Sequence, residues 1–173
     1  VKIPSIRIRI SSIEPNLLSD EILDVVLKSK NIVPHFHIPL QSGSDKILKL
    51  MRRRYKTQDY KTLIQKIKKY NPSVCIGADV IVGFPGEEDS DFNDTVNFIK
   101  SLPVSYLHVF SYSERENTIA KKLEKSVPKE KRKQRSQVLR NLSEKKKNIF
   151  YLENLNTSRP TLIEGKTKKE YLN

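Results

Sequence analysis

The sequence predicts an α/β protein built on a parallel sheet, and three features carry that expectation. Short apolar runs, alternating or continuous, take turns along the chain with longer stretches whose apolar residues recur every three to four positions. The intervals between the strand-like runs are long enough to hold the crossover helix that parallel pairing requires. A chain of 173 residues with 36% apolar content also suffices for one domain with a real core and a small appendage. Half of a (β/α)8 barrel and a doubly wound sheet both satisfy this pattern.

Each element has its own signal. Ile6-Arg7-Ile8-Arg9-Ile10 alternates and reads as a strand. Ser19 N-caps a helix to Lys28, with Ile22, Leu23, Val26 and Leu27 at helical spacing. PHFHIPL, residues 34–40, is short, aromatic and flanked by prolines, hence a strand. A short helix from Ser44 to about Arg53 carries Ile47, Leu48 and Met51, and Thr57 caps the next, with Tyr60, Leu63, Ile64 and Ile67 on one face. Cys75 to Val82 is a strand holding a lone acid, Asp79. Asp89 to Ser101 is a helix with Phe92, Val96 and Ile99 aligned, and residues 105–112 form another strand. A long helix from about Lys129 to Glu153 follows, with Val138, Leu142, Ile149 and Leu152 as its apolar positions. RPTLIEG after it suggests the first strand of something new, and a chain starting at Val1 reads as a piece of a longer protein.

Composition narrows the classes of function. No apolar stretch approaches the roughly 18–20 residues of a membrane span, and no secretory leader opens the chain. A cytoplasmic setting without membrane contact is expected. The single Cys75 cannot form a disulfide or a metal cluster within this chain. The net charge of +13 is concentrated: between Lys121 and Asn148 stand twelve Lys and Arg against three acids. Such density attracts polyanions by counterion release, although a solvated helix face is the commoner origin of a lysine run.

In either candidate fold ligands bind outside the carboxyl ends of the strands. Polar residues gather at all four: Ser11 to Glu14, Gln41 to Asp45, Asp79 with the Gly83-Phe84-Pro85-Gly86-Glu87 turn, and His108 to Ser113. A phosphate-binding loop, a zinc or iron site and a nucleophile elbow are all missing by motif. Carboxylates and amides beside small glycines suit diol hydroxyls, an ammonium and an adenine edge. Other readings stay open. Glu14 is also an acid placed where a helix begins, and Gln41 and Ser42 stand where they cap the helix near Ser44. Arg53 belongs to a basic triplet, and His35 and His37 share a strand face that is pocket or core. Asp79, on one face with Gly77, Ile81 and Gly83, reads as a ligand contact because the glycines leave room beside it.

RIRISSIEP, PHFHIPLQSGSDKILKLMRRRY, IGADVIVGFPGEEDSDFNDTVNFI and YLHVFSYSERENTIA, in this order over residues 6 to about 145, closely resemble the radical S-adenosylmethionine methylthiotransferases. SSIEP and YLHVFSYSER look most like the branch acting on tRNA N6-threonylcarbamoyladenosine. The resemblance implies the last four strands of a (β/α)6 barrel within residues 1–157, and the start of a small RNA-binding β-barrel in 158–173. It implies that Glu14, Gln41 with Ser42, and Asp79 hold the ammonium or ribose of S-adenosylmethionine, and that Arg53 meets its carboxylate. The turn carrying Gly83 and Gly86 and the strand end Phe110-Ser111-Tyr112 would flank adenine through backbone groups. The basic helix, through Lys131, Arg132, Lys133, Arg135, Lys145, Lys146 and Lys147, would contact tRNA. The family's CxxxCxxC loop is not in this sequence, so two [4Fe-4S] clusters would be ligated outside this chain. A flavodoxin or ferredoxin would reduce them, the chain would hold no catalytic or metal-ligating residue of its own, and alone it would be inactive. A relative modifying a ribosomal protein, or a cluster-free RNA-binding module, is the alternative. Half a barrel exposes sheet edges, so self-association is expected.

Overall fold

The computed structural model describes residues 6–114, 123 and 125–159. Its centre is a parallel sheet in which β1 (His35–His37), β2 (Cys75–Val82) and β3 (Tyr106–Ser111) lie in that spatial order. The register sets His37 opposite Gly77 and Asp79 opposite His108. Around the sheet stand α1 (Asp20–Lys28), α2 (Asp45–Leu50), α3 (Thr57–Tyr70), α4 (Asp89–Ser101) and α5 (Lys129–Glu153), with a 3-10 turn at Pro15–Leu17.

Period-two alternation along β2 decides where the core lies. Ile76, Ala78, Val80 and Val82 are wholly buried, in one cluster with Ile64 and Ile67 of α3, Ile99 of α4 and Leu139 of α5. Cys75, Asp79 and Ile81 on the opposite face are only partly covered. The sheet is therefore packed on its helical side and open on the other, as one wall of a barrel would be.

Several boundaries differ from expectation for identifiable reasons. Residues 6–10 form no named strand: the segment runs beside β1 through two parallel bridges, Ile8 to Ile32 and Ser12 to His37. Strand β1 stops at His37 because Pro39 lacks an N–H, yet the chain stays in register, with Ile38 and Leu40 donating to Gly77 and Asp79. Thr57 is the first residue of α3 rather than its cap; Asp59 accepts from the Lys56 N–H at 2.8 Å instead. Ser19 and Ser44 do cap α1 and α2. In α5, Val138, Ile149 and Leu152 face solvent. Its buried face is Arg132, Arg135, Ser136, Leu139 and Ser143, mostly polar, which an apolar pattern could not reveal. The expected β-barrel start at 158–173 lies, from residue 160 on, outside the described residues.

Candidate cofactor site at the strand ends

Gln41 is the most unusual residue at these ends. Its φ is +67°, left-handed for a residue with a side chain, and two backbone bonds lock it there: its N–H donates to Asp79 and its carbonyl accepts from Ile81. Such a conformation costs about 1–2 kcal/mol. Its side chain is buried, and Oε1 has no partner. Strain and an unsatisfied acceptor at a strand end make Gln41 a candidate for ligand contact. Arg53 donates from Nη1 to Glu14 Oε1 at 2.5 Å, while its buried Nε has no partner. Arg53 also lines an open cavity of about 820 Å³ together with Lys46, Met51, Ile81 and Phe84. Glu14, expected at the ammonium or ribose of the ligand, and Arg53, expected at its carboxylate, form an ion pair with each other. Ser42 is fully buried against Thr95 and Ser44, closing its own loop.

The glycines serve the protein's own side chains. A Cβ on Gly77 would fall 2.3 Å from the Tyr106 ring, and one on Gly83 would fall 2.3 Å from Arg132 Cγ. Both therefore make room for a neighbour, not for a ligand. The Gly83 N–H is spent on Glu87 Oε2 at 2.6 Å, and the Tyr112 N–H and carbonyl are spent on Val82 and Arg132. Phe110 is half exposed on the open face, and Gly86, at φ +86°, donates its N–H to Lys125. Glu87 is buried against Arg135 at 2.6 Å, and burial pushes its carboxyl above the usual range.

The open face carries a polar row that sequence reasoning singled out only in part. Asp79 has a protein partner: His37 Nε2 lies 2.7 Å from its Oδ1. His37 stands opposite Gly77, which has no side chain, so its imidazole reaches the next residue on the same face. His108 meets the His37 ring at a tilt and the Tyr106 ring edge-to-face, each at 5.2 Å between centroids. Lower in the sheet, His35 accepts from Arg9 Nε at 3.2 Å and bonds the Tyr106 hydroxyl at 2.9 Å. Burial, then the Arg9 charge, lowers the His35 pKa to about 4. His108 was expected at a polar strand end, but Arg9 and Tyr106 were not singled out in the sequence. The period-two signal held them, but only the register brings them together.

The basic residues divide. Arg132 and Arg135 are buried and internally committed, Arg132 to Val127, Tyr112 and Glu114, Arg135 to Glu87 and Asp89. Burial sets these two apart from the exposed cations of the helix. Lys131 pairs with Asp89, and Lys146 donates to the carbonyls of Lys100 and Leu102. Lys133 and Lys145 are exposed, and Lys147 reaches Glu144 at 3.9 Å. Among the described residues no cluster of His, Cys, Asp and Glu could hold a metal ion, and no helix is long and apolar enough to cross a membrane.

Comparison with known proteins identifies the family and agrees with the fold. Residues 1–99 match the model of the radical SAM superfamily. A threonylcarbamoyladenosine tRNA methylthiotransferase of Aquifex aeolicus is 42% identical over 89% of this chain and 38% of its own length. Its counterpart in Bacillus subtilis is 49% identical over 70% of this chain and 27% of its own. A tRNA-2-methylthio-N6-dimethylallyladenosine synthase of Histophilus somni is 37% identical over 96% and 35%. The chain thus spans roughly a third of the length of these relatives. In fold it is similar to coproporphyrinogen III oxidase of Escherichia coli, a radical SAM enzyme, with a TM-score of 0.64 and 17% identity over 81% of this chain and 32% of that one. The chain belongs to the radical SAM superfamily, and its relatives there include tRNA methylthiotransferases.

Proposed function

We propose that this chain is the cofactor-positioning and RNA-facing part of a tRNA methylthiotransferase that places a methylthio group at C2 of N6-threonylcarbamoyladenosine. The observation that carries the cofactor half is Gln41, strained and with an unsatisfied Oε1, and the buried Nε of Arg53 is likewise unsatisfied. S-Adenosylmethionine, when bound, supplies the methyl group and the radical chemistry of the superfamily. Gln41 Oε1 accepts from its ammonium or ribose hydroxyls, and Arg53 offers Nε–H to its carboxylate while Glu14 holds the guanidinium in place. Ile81 and Phe84 give the cavity an apolar wall against adenine. Asp79, tied to His37, stands next to Gln41 through the backbone and fixes the polar side of the site. Two [4Fe-4S] clusters bound by cysteines outside this chain, reduced by a flavodoxin or ferredoxin, complete the enzyme, and the chain alone is inactive.

The substrate half rests on the relatives' names and on the exposed cations of α5. In the full-length protein, isothermal titration should show S-adenosylmethionine binding weakened at least tenfold by Gln41→Ala and by Arg53→Ala. Parent-like affinity in both variants rejects the site. Mass spectrometry of tRNA nucleosides from a deletion strain should show threonylcarbamoyladenosine without its 2-methylthio group. Loss confined to the dimethylallyladenosine product would assign the other branch instead.

A further inference from the structure

We infer that the groove between the carboxyl end of β3 and the N-terminal half of α5 binds the phosphodiester backbone of the RNA substrate. This rests on the reading that the substrate is RNA, but its residues are distinct from those given to the cofactor, except Tyr112. The groove encloses about 500 Å³ and is lined by Tyr112 and Ser113 on one side and by Lys133, Ser136, Gln137 and Arg140 on the other.

Its chemistry is that of an anion site with its donors unspent. Ser136 is only 3% exposed, yet its Oγ has no partner, not even the carbonyl one turn back that a helical serine commonly uses. The buried Tyr112 hydroxyl is equally unpaired. Two unsatisfied hydroxyls in one groove are unusual in a folded protein and mark an absent acceptor. Lys133 and Arg140 are exposed, and neither lies within 4.0 Å of a described carboxylate. Spaced at i, i+3 and i+7, Lys133, Ser136 and Arg140 lie along one face of the helix. Among the described residues one acid lines the groove, Glu114, and it is held by Arg132, which keeps its pKa down at about 2. An acceptor-only, repeating anion fits this set, and phosphate contacts fix the register of a bound strand. The Tyr112 ring meets Phe84 edge-on at 5.3 Å, and Phe84 lines the cofactor cavity. A strand held by α5 is therefore delivered beside the strand ends.

The test is tRNA binding by the full-length protein, followed by fluorescence anisotropy across a salt series with an unmodified transcript. Lys133→Glu with Arg140→Glu should weaken binding at least tenfold and lower the slope of log K against log salt by about 1–2. Titrated S-adenosylmethionine affinity should not change. Ser136→Ala and Tyr112→Phe should each weaken tRNA binding roughly threefold to tenfold while leaving the thermal midpoint equal or higher, since each removes an unsatisfied buried group. A purely structural role would lower the midpoint and spare the RNA. Affinity and slope within twofold of the parent in all variants overturn the groove. If these variants lose tRNA affinity while the nucleoside analysis shows no missing methylthio group, the groove stands and the proposed reaction falls.

Discussion

Gly83 and His35 show what a single position decides. At Gly83 the φ is +74° and the space a Cβ needs is filled by the stem of Arg132. Gly83→Ala should therefore cost at least about 2 kcal/mol in chemical denaturation, from strain and displacement together. His35 governs a pH dependence. Its pKa is lowered from 6.5 to about 4 in the fold, by burial and then by Arg9, while His37 and Tyr106 also face it. The unfolded chain binds the proton first, so stability is full above pH 6.5 and declines as pH falls toward 4, by about 3 kcal/mol. Denaturation at pH 7 and pH 5 should show the loss, and His35→Gln should flatten it. At this scale the sequence was half legible. An acid inside an apolar strand announced that Asp79 needed a partner. Naming His37 required knowing that it stands opposite a glycine, and register is a property of two strands.

Among the elements, α5 departs furthest from its own pattern. Its limits, Lys129–Glu153, follow from the composition, but its packing runs through Arg132, Arg135, Ser136 and Ser143 around one fully buried Leu139. Ser143 Oγ accepts from the Leu107 N–H at 2.9 Å, so even the contact with β3 is partly polar. Charge density on a helix does not say which charges are solvated; only the partners on neighbouring elements do. Arg135→Ala leaves the Glu87 carboxylate buried without its cation and should destabilise the protein by about 3–5 kcal/mol in urea titration. Arg135→Met with Glu87→Gln, which removes both charges, should recover most of that loss. The same helix reaches α4: Lys146 donates to the Leu102 carbonyl at 2.6 Å, where that helix has ended and favours a cation. By contrast, α4 was readable to the residue because Phe92, Val96 and Ile99 face an apolar core.

For the molecule as a whole, alternating patterns were enough for the parallel α/β sheet, since each strand's buried face and each helix's stripe must meet. The edge segment at 6–10 was overread as a strand, because alternation describes side chains while a strand also needs a continuous ladder. The uncovered sheet face, with Phe110 and Ile8 exposed near its margin, should make the isolated chain self-associate. Sedimentation velocity would detect that, and a strictly monomeric chain would show the face to be tolerated by water. Cys75 lies on this same face, partly covered, and burial raises its thiol pKa. A protonated thiol is a poor nucleophile and a poor ligand for iron. This cysteine therefore reacts slowly with electrophiles at neutral pH, although the face it stands on is uncovered. Slow alkylation of Cys75 at neutral pH would register the protection that the strand confers on an otherwise open face.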